Sequence, residues 1–450
     1  MKKFLSLVLA LVMTMSLVTV SAGAKDFTDD SEITYKEAVD VMSAAKVIDG
    51  YAEGDFRPSA TLTRGAAAKI ICNLILGPTT ASALVADAAP YSDVPTTHTF
   101  AGYIAYCQKE GIISGYADGT FKPANSLTGY AFMKMLLGAL GYKAENEGYT
   151  GANWSINVAK RALNIGLDDD LVGEFNGVKA VNREEACLYA LNTLTADMVE
   201  YDAKTTVSTN GTTVVIAGSK AKEMVNNGNT DGKVFDKDGV MQFAEKYFDN
   251  LTVKTGSDDF SRPANVWKLK AEEIGTYTNT PDATYTKKVE NGDIYKDLGL
   301  GSKIEAKDVS VYEDGVKKTN TVAIEKGDDT KVGNSGNGVL TEVFYDDDAD
   351  TVTVTQINTY VGSINKTVKA TDKKDAYVVV TAEGPVPSQG FDNEFETDEK
   401  FEDDAYVLYT YSLTAKEIKS VEAAKKVEGT VTVAENITHQ DKLFVDFFAV

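Results

Sequence analysis

Two arginines of this chain occupy positions at which an anionic group could be held. Arg64 follows Thr63 and Arg183 follows Asn182, and each pair precedes an apolar pattern with the spacing of a helix. Thr and Asn are favoured N-cap residues, so both arginines are predicted in the first turn of a helix. A guanidinium there lies beside free backbone N–H groups and offers a planar fork of donors for a carboxylate. Because a cation gains nothing from the positive end of a helix dipole, this placement favours anion binding.

A structural role is the alternative for both arginines. In that role, each guanidinium bridges neighbouring parts of the fold or pairs with an acid such as Glu184. The spacing fits both roles, and both stay open from the sequence alone.

The sequence offers no convincing catalytic or metal-binding pattern. Ser335 lies in a glycine- and asparagine-rich segment without a histidine and an aspartate in a fitting context, so a flexible surface turn is predicted there. The best calcium pattern places Asp236, Asp238 and Glu245 at EF-hand ligand positions, but Val234 occupies the first of them. Carboxylates are too abundant for any one pair to indicate a glycosidase. We therefore expect no catalytic residue, no metal site and no cofactor.

The segments that carry the arginines belong to an internal repeat. The stretch from Gly50 to Ile70 recurs sixty-five residues later as the stretch from Gly115 to Met135, and a weaker third copy runs from Gly173 to Leu191. Each copy has a glycine-rich loop that ends in a phenylalanine, followed by an N-cap residue and a helical pattern, and another helical stretch precedes each loop. The repeat unit is predicted to be helix, loop, helix.

These three copies resemble S-layer homology repeats, in which a glycine-rich loop ending in Phe and Pro precedes a Thr-Arg-Ala-Glu element. The resemblance covers residues 27–199, as repeats at 27–77, 91–142 and, in degenerate form, 149–199. It implies an all-α pseudo-threefold bundle of three repeats. It also implies non-covalent attachment to an anionic secondary cell wall polysaccharide, often one that carries pyruvate.

The resemblance also implies which residues bind the polysaccharide. The family's arginine corresponds to Arg64 beside Thr63 and to Arg183 beside Asn182. In the second copy the same position is Gly129, so we expect that one of the three grooves between repeats has lost its charge clamp.

Beyond residue 200 the composition changes to short alternating runs rich in Thr, Val and Tyr, separated by Asp, Asn and Gly turns. This pattern predicts mainly antiparallel β domains, which we place at residues 205–362 and 363–450. One helix, roughly Val240 to Phe248, is predicted to interrupt the first of them. The apolar run that closes the chain resembles the middle of a strand, so the second domain is expected to be truncated.

The first twenty-four residues have the charged start, apolar core and small-residue cleavage site of a secretory signal peptide, with an uncleaved membrane anchor as the alternative. The formal net charge of −22 argues against a nucleic acid or an anionic membrane as partner. The three cysteines, Cys72, Cys107 and Cys187, lie in apolar settings and are predicted to be buried small hydrophobic residues.

Together these features predict a secreted, non-catalytic surface protein of the S-layer type. The repeats are expected to hold it to the cell wall, and the acidic β region is expected to be displayed, with self-association in a surface lattice as one role. The alternatives are an anchored exoenzyme, acting on carbohydrate or protein, or an adhesin, with its site in residues 201–450.

Overall fold

The computed structural model describes residues 27–202, 205–209, 212–216, 220–226, 239–371, 374–383, 391–397 and 399–424. The predicted signal peptide, the calcium-pattern residues Asp236 and Asp238, and the end of the second predicted β domain lie outside these residues. The chain divides into two compact units. The first comprises Val20–Lys254 and Val266–Gly275, and the second includes Thr255–Asn265 and everything from Thr276 onward.

Six helices form three successive pairs in the first unit, and each pair is one copy of the repeat. They are α1 (Lys36–Ala44) and α2 (Arg64–Ser82), α3 (Ala101–Lys109) and α4 (Gly129–Ala139), and α5 (Trp154–Asn164) and α6 (Arg183–Thr195).

The second helix of each pair begins at the predicted cap. Thr63 Oγ1 accepts a hydrogen bond from Ala66 N at 3.2 Å, and Thr128 caps α4 in the same way. Asn182 and Glu185 form a reciprocal capping box at α6, with bonds of 2.8 and 3.0 Å. These contacts confirm the three N-caps, because a side-chain oxygen satisfies an N–H group that the helix leaves unpaired.

A closed ring of backbone hydrogen bonds joins the three copies just before these caps. Leu62 N donates to Val181 O at 2.8 Å, Val181 N donates to Leu127 O at 2.9 Å, and Leu127 N donates to Leu62 O at 2.9 Å. All three side chains are buried. Near this ring, backbone N–H groups at the starts of α2, α4 and α6 each donate to carbonyl oxygens in the loop of another copy.

After the repeats, the described residues of the first unit form short β structure and one helix. Strand β1 (Val199–Glu200) pairs with β4 (Lys222–Glu223), and β2 (Thr205–Thr209) forms a hairpin with β3 (Thr212–Ile216). The predicted helix near residue 244 is confirmed as α7 (Phe243–Tyr247). Strands β5 (Leu251–Ser257), β6 (Pro263–Leu269) and β7 (Glu272–Thr278) form a three-stranded sheet.

The second unit is built on a nine-stranded, mainly antiparallel sheet. Its elements in chain order are β8 (Ala283–Tyr285), α8 (Asn291–Asp297), β9 (Val309–Glu313), β10 (Val316–Lys318), β11 (Val339–Asp346), β12 (Thr351–Val368), β13 (Tyr377–Ala382), β14 (Glu394–Glu396), β15 (Tyr406–Ser412) and β16 (Glu417–Ala423). The long strand β12 is central. Its first part pairs with β9, in parallel, and with β11, and its last part pairs with β13 and β15.

Strand β12 runs across the boundary that the sequence places between residues 362 and 363. Each side of that boundary has its own hydrophobic cluster, one around Val311 and Val354 and the other around Ile364 and Tyr409. The two predicted β domains therefore share one strand.

One sequence prediction in this unit is wrong and another holds only in part. The segment at residues 290–292, one of the Asn- and Gly-containing segments whose composition predicts a turn, is instead the start of α8, because Glu290 and Asp293 form a reciprocal capping box. The segment around Ser335 does turn at Gly333 and Asn334, which are exposed, but Ser335 itself is fully buried, and its hydroxyl accepts from Val289 N at 3.1 Å. Both segments have the composition of an exposed turn, but local hydrogen bonds, the capping box at Glu290 and the bond to Ser335, determine their structure.

Candidate ligand-binding cleft

A cleft of about 420 Å³ opens beside the start of α2 in the first unit. Its walls come from all three copies of the repeat. Arg64 comes from the first copy, Tyr116 and Lys134 from the second, and Trp154 from the start of the third. No aspartate or glutamate is among the described residues that line it.

The Arg64 side chain is held along one wall. Its Nε donates to Phe121 O at 2.8 Å and its Nη2 donates to Ser114 O at 3.3 Å. The guanidinium carbon lies 4.4 Å from the centre of the Phe121 ring and 5.0 Å from that of Tyr116. Within the described part of the chain, Nη1 donates to no protein acceptor and no carboxylate forms an ion pair with this arginine. Partial burial lowers the pKa of Arg64, yet a guanidinium stays charged.

Lys134 supplies a second cation to the same cleft. Its Nζ lies 5.7 Å from the Trp154 ring centre, and the residue is half-buried on α4. Burial, and then the charge of Arg64, lower the pKa of Lys134. The two positive charges have no carboxylate partner in the described lining of the cleft, so a bound anion would neutralise them. Sequence reasoning missed Lys134, although a lone lysine between Met133 and Met135 in an apolar helical run was a usable signal.

The predicted contribution of free backbone N–H groups is wrong. Arg64 N donates to Asn125 O and Gly65 N donates to Pro123 O, both at 2.9 Å, while Ala66 N is taken by the Thr63 cap. The helix start packs directly onto the loop of the next copy, whose carbonyl oxygens use these donors. What remains for an anion is the side-chain charge and the outer edge of the guanidinium.

Arg183 repeats this arrangement on another loop. Its Nε donates to Phe56 O at 2.9 Å, its Nη2 donates to Asp49 O at 2.7 Å, and its guanidinium carbon lies 4.7 Å from the centre of the Tyr51 ring. It therefore contacts the first copy just as Arg64 contacts the second. Both arginines thus bridge neighbouring copies, as the structural alternative predicts. The pair with Glu184 is absent from the described contacts, and the Glu184 carboxylate accepts a backbone hydrogen bond from the loop before α1.

The corresponding place on the second copy lacks an arginine, as the sequence indicates. Gly129 N donates to Lys179 O at 3.0 Å, and the Tyr130 ring lies edge-on to Phe175 with ring centres 5.9 Å apart. A Cβ atom on Gly177 would lie 2.1 Å from the Tyr130 ring, so only glycine fits beneath it. The cavity here is about 70 Å³, which is too small for a sugar residue.

The first two copies match a known domain family. The S-layer homology domain matches residues 26–68 and 90–129. The chain carries S-layer homology domains. The matched stretches contain Arg64 and most of the loop that it contacts.

Similar proteins include surface and cell wall proteins. The surface layer protein of Brevibacillus choshinensis is 26% identical over 372 residues, which are 74% of this chain and 32% of that protein. The middle cell wall protein of Brevibacillus brevis is 24% identical over 204 residues, 44% of this chain and 19% of that protein. An endoglucanase of a Bacillus species is 27% identical over 188 residues, 39% of this chain and 20% of the enzyme. The chain thus spans a third or less of the length of each relative.

The family match and the names of these relatives indicate a secreted cell-surface protein. Among the described residues, every helix is too short or too polar to span a membrane.

In both S-layer homology domains an aspartate that sequence reasoning missed clamps the loop. Asp93 accepts from Phe121 N at 2.8 Å and from Lys122 N at 2.7 Å, and Asp29 accepts from the equivalent amides of the first loop at 2.7 Å. Lys122 has a positive φ of 57°, which the clamp helps to hold. Since Phe121 O also binds Arg64, the carboxylate positions the cleft wall. The sequence does contain a signal for these aspartates. Each one lies about 28 residues ahead of the loop phenylalanine, and an aromatic residue lies two positions before it.

The stability that these clamps provide should depend on pH. Partial burial opposes ionisation, but the amide hydrogen bonds outweigh it and hold the pKa of Asp29 and Asp93 below the ordinary 3.8. A depressed folded-state pKa gives stability that is present above the unfolded pKa and is lost as pH falls through the folded pKa.

We therefore expect an Asp29→Asn, Asp93→Asn variant to have a lower thermal midpoint than the wild type near neutral pH. The difference should close as the pH falls below about 4. Thermal denaturation of both full chains, followed by circular dichroism from about pH 7 to about pH 3, measures it. A difference that persists unchanged at the acid end would show that ionisation of the clamps does not matter.

Proposed function

We propose that this chain is a non-catalytic surface protein that its S-layer homology domains hold, without a covalent bond, on an anionic polysaccharide of the cell wall. The observation that carries the proposal is the pair of cations, Arg64 and Lys134, in a cleft whose described lining contains no acid. Pyruvate on a sugar is the anionic group that fits best, because its carboxylate is small and planar.

The cleft has parts for both the charge and the sugar. The outer edge of the Arg64 guanidinium can donate to a carboxylate, and the Lys134 ammonium adds a second positive charge. The Trp154 and Tyr116 rings give flat apolar faces against which the carbon–hydrogen face of a sugar ring can pack. Thr63 has its hydroxyl engaged in the cap, so its role, like that of Asn182, is to position the arginine that follows.

We extend the repeat to residues 149–199 as a third S-layer homology domain, so that three copies form a pseudo-threefold bundle. The closed ring of hydrogen bonds through Leu62, Val181 and Leu127 supports this arrangement. The equal contacts of Arg64 and Arg183 support it too. In this arrangement two grooves carry arginine, and the third is closed by Tyr130.

Residues 1–24 then act as the signal peptide, and residues 205–362 and 363–450 form the displayed β region. Self-association into a surface lattice is its proposed role, by analogy with the surface layer relative. Nucleic acid and inserted membrane are not proposed as partners.

The endoglucanase relative favours a second candidate, an anchored exoenzyme with its site in the β region. Release of reducing sugar from purified wall or cellulose by the full chain would support that candidate.

The direct test is sedimentation of the full chain with purified cell wall sacculi. We expect retention on untreated sacculi, and release into the supernatant after acid treatment that removes pyruvate. Retention that survives removal of every anionic substituent would overturn the proposed recognition.

Arg183 should contribute through a separate groove. We expect Arg183→Ala to weaken retention about three- to tenfold, because the Arg64 cleft, which the second cation Lys134 makes the stronger of the two sites, still binds. The same sedimentation assay measures the effect, with Lys160→Ala, a change at an exposed residue of α5, as a control that should bind like wild type. Complete loss of retention in Arg183→Ala alone would mean that the main binding site is the Arg183 groove and not the Arg64 cleft.

A further inference from the structure

We propose that Cys72 and Cys107 are a disulfide-forming pair that links the first S-layer homology domain to the second. Their sulfur atoms are 3.6 Å apart, and both residues are fully buried. The third cysteine, Cys187, is buried on α6 and makes no sulfur contact with either of them among the described residues. Of the three cysteines, only Cys72 and Cys107 are therefore placed to form a disulfide with each other.

The contacts around the two thiols are reciprocal. Cys72 Sγ lies 3.6 Å from Tyr103 O, which is one helical turn before Cys107, and Cys107 Sγ lies 3.7 Å from Ala68 O, one turn before Cys72. Each sulfur thus reaches the backbone of the opposite helix, so α2 and α3 approach closely at this point. A disulfide requires the sulfurs to move together by roughly 1.5 Å, to a bond of about 2.05 Å, which side-chain rotation and a small helix shift can supply.

The oxidation needs an external acceptor, for which a low-molecular-weight disulfide suffices. One cysteine thiolate attacks a sulfur of that disulfide and releases one thiolate, leaving a mixed disulfide on the protein. The second cysteine then attacks the protein sulfur and releases the second thiolate. Two protein thiols lose two electrons and two protons, and the acceptor is reduced to two thiols.

This exchange belongs to folding rather than to the folded state. The hydrogen bond with Cys72 and burial raise the pKa of the Cys107 thiol well above its usual range, so almost no thiolate exists at neutral pH once the helices have packed. An exported chain meets an oxidising environment before it folds, when both thiols are accessible. In this respect the inference rests on the proposed surface location.

The bond would strengthen the wall anchor. It closes a loop of 35 residues and joins the helix that Arg64 begins to the domain whose loop Arg64 contacts. Closing a loop of that length removes entropy from the unfolded chain, and we expect a thermal midpoint about 10 °C higher in the oxidised protein.

The experiment counts thiols in the full chain. Protein purified with reductant is unfolded in guanidinium chloride and refolded in a glutathione and glutathione disulfide buffer. It is then denatured and alkylated with N-ethylmaleimide for intact-mass measurement. We expect one alkylated thiol, Cys187, in the monomer, and three after reduction. Cys187→Ala should then give none, and either Cys72→Ala or Cys107→Ala should give two.

Three alkylated thiols in the refolded wild type, or loss of thiols only through dimers, would overturn the proposal. The wild-type count decides the question even if an alanine variant fails to fold. Because the count involves no wall polymer, its outcome is separate from that of the proposed function.

Discussion

Replacing Arg64 and Lys134 together by alanine is expected to weaken binding to cell wall sacculi at least 100-fold. Each cation contributes a charge-assisted contact of about 1.5–3 kcal/mol to a bound carboxylate, and a loss of about 3 kcal/mol corresponds to more than a hundredfold in affinity. The measurement is the dissociation constant from sedimentation of the full chain with increasing amounts of sacculi.

Two controls separate loss of charge from loss of structure. Lys134→Met removes a charge without removing any protein hydrogen bond seen in the described residues, so it should weaken binding about tenfold while the thermal midpoint stays unchanged. Lys69→Ala changes the exposed lysine at the same helical position of the first domain and should bind like wild type. Wild-type affinity in the double variant would mean that the cleft is not the binding site.

Replacing Asp93 by alanine is expected to damage both stability and wall binding. The change leaves the amides of Phe121 and Lys122 without their acceptor, at a cost of about 1–3 kcal/mol, limited by the solvent exposure of the carboxylate. It also frees the loop that holds Arg64 Nε through Phe121 O. We expect a drop of several degrees in the first thermal transition and weaker retention on sacculi.

Asp118→Ala is the matched control for this variant. Asp118 lies in the same loop, but its carboxylate is exposed, accepts hydrogen bonds from Thr120 and forms an exposed ion pair with Lys122 Nζ at 3.4 Å. Its removal should leave both the transition and the binding near wild type. Equal effects of the two substitutions would show that the clamp has no special part in shaping the cleft.

The helical part of the fold could largely be predicted from the sequence, because its signals are local. The cap oxygens of Thr63 and Asn182 act within three residues, and the helical stretch predicted before the third loop is present as α5. The loop phenylalanines Phe56 and Phe121 are buried, as the repeat predicts.

The residues that line the cleft were harder to predict from the sequence, because they are brought together by contacts between copies. The occupation of the helix-start N–H groups follows from loop carbonyls of the next copy, as in the bond from Gly65 N to Pro123 O. Lys134 is far from Arg64 in sequence, and only packing of the second copy against the first makes them neighbours. Local patterns identify an N-cap, but they do not show what lies opposite the helix.

For the β region, the sequence predicted strands but not their lengths. One of the short alternating runs that predict strands covers only Thr351 to Thr355, whereas the strand there, β12, continues to Val368. The alternation fails because four successive residues of β12, ending at Ile357, are buried on both faces of the strand. Among them Gln356 looks like a surface residue in the sequence, yet it is buried and donates to Val332 O at 3.1 Å.

The most direct test of the account follows the tryptophan in the cleft. Of the two tryptophans in the chain, Trp154 lines the cleft and Trp267 is buried, with its ring N–H bonded to Glu37. Titration of the full chain with purified wall polysaccharide should change the fluorescence and saturate at the affinity found by sedimentation. A Trp154→Phe variant, or polysaccharide stripped of its anionic groups, should give no change. Tight binding of the intact polysaccharide that leaves Trp154 fluorescence unaltered would contradict the account.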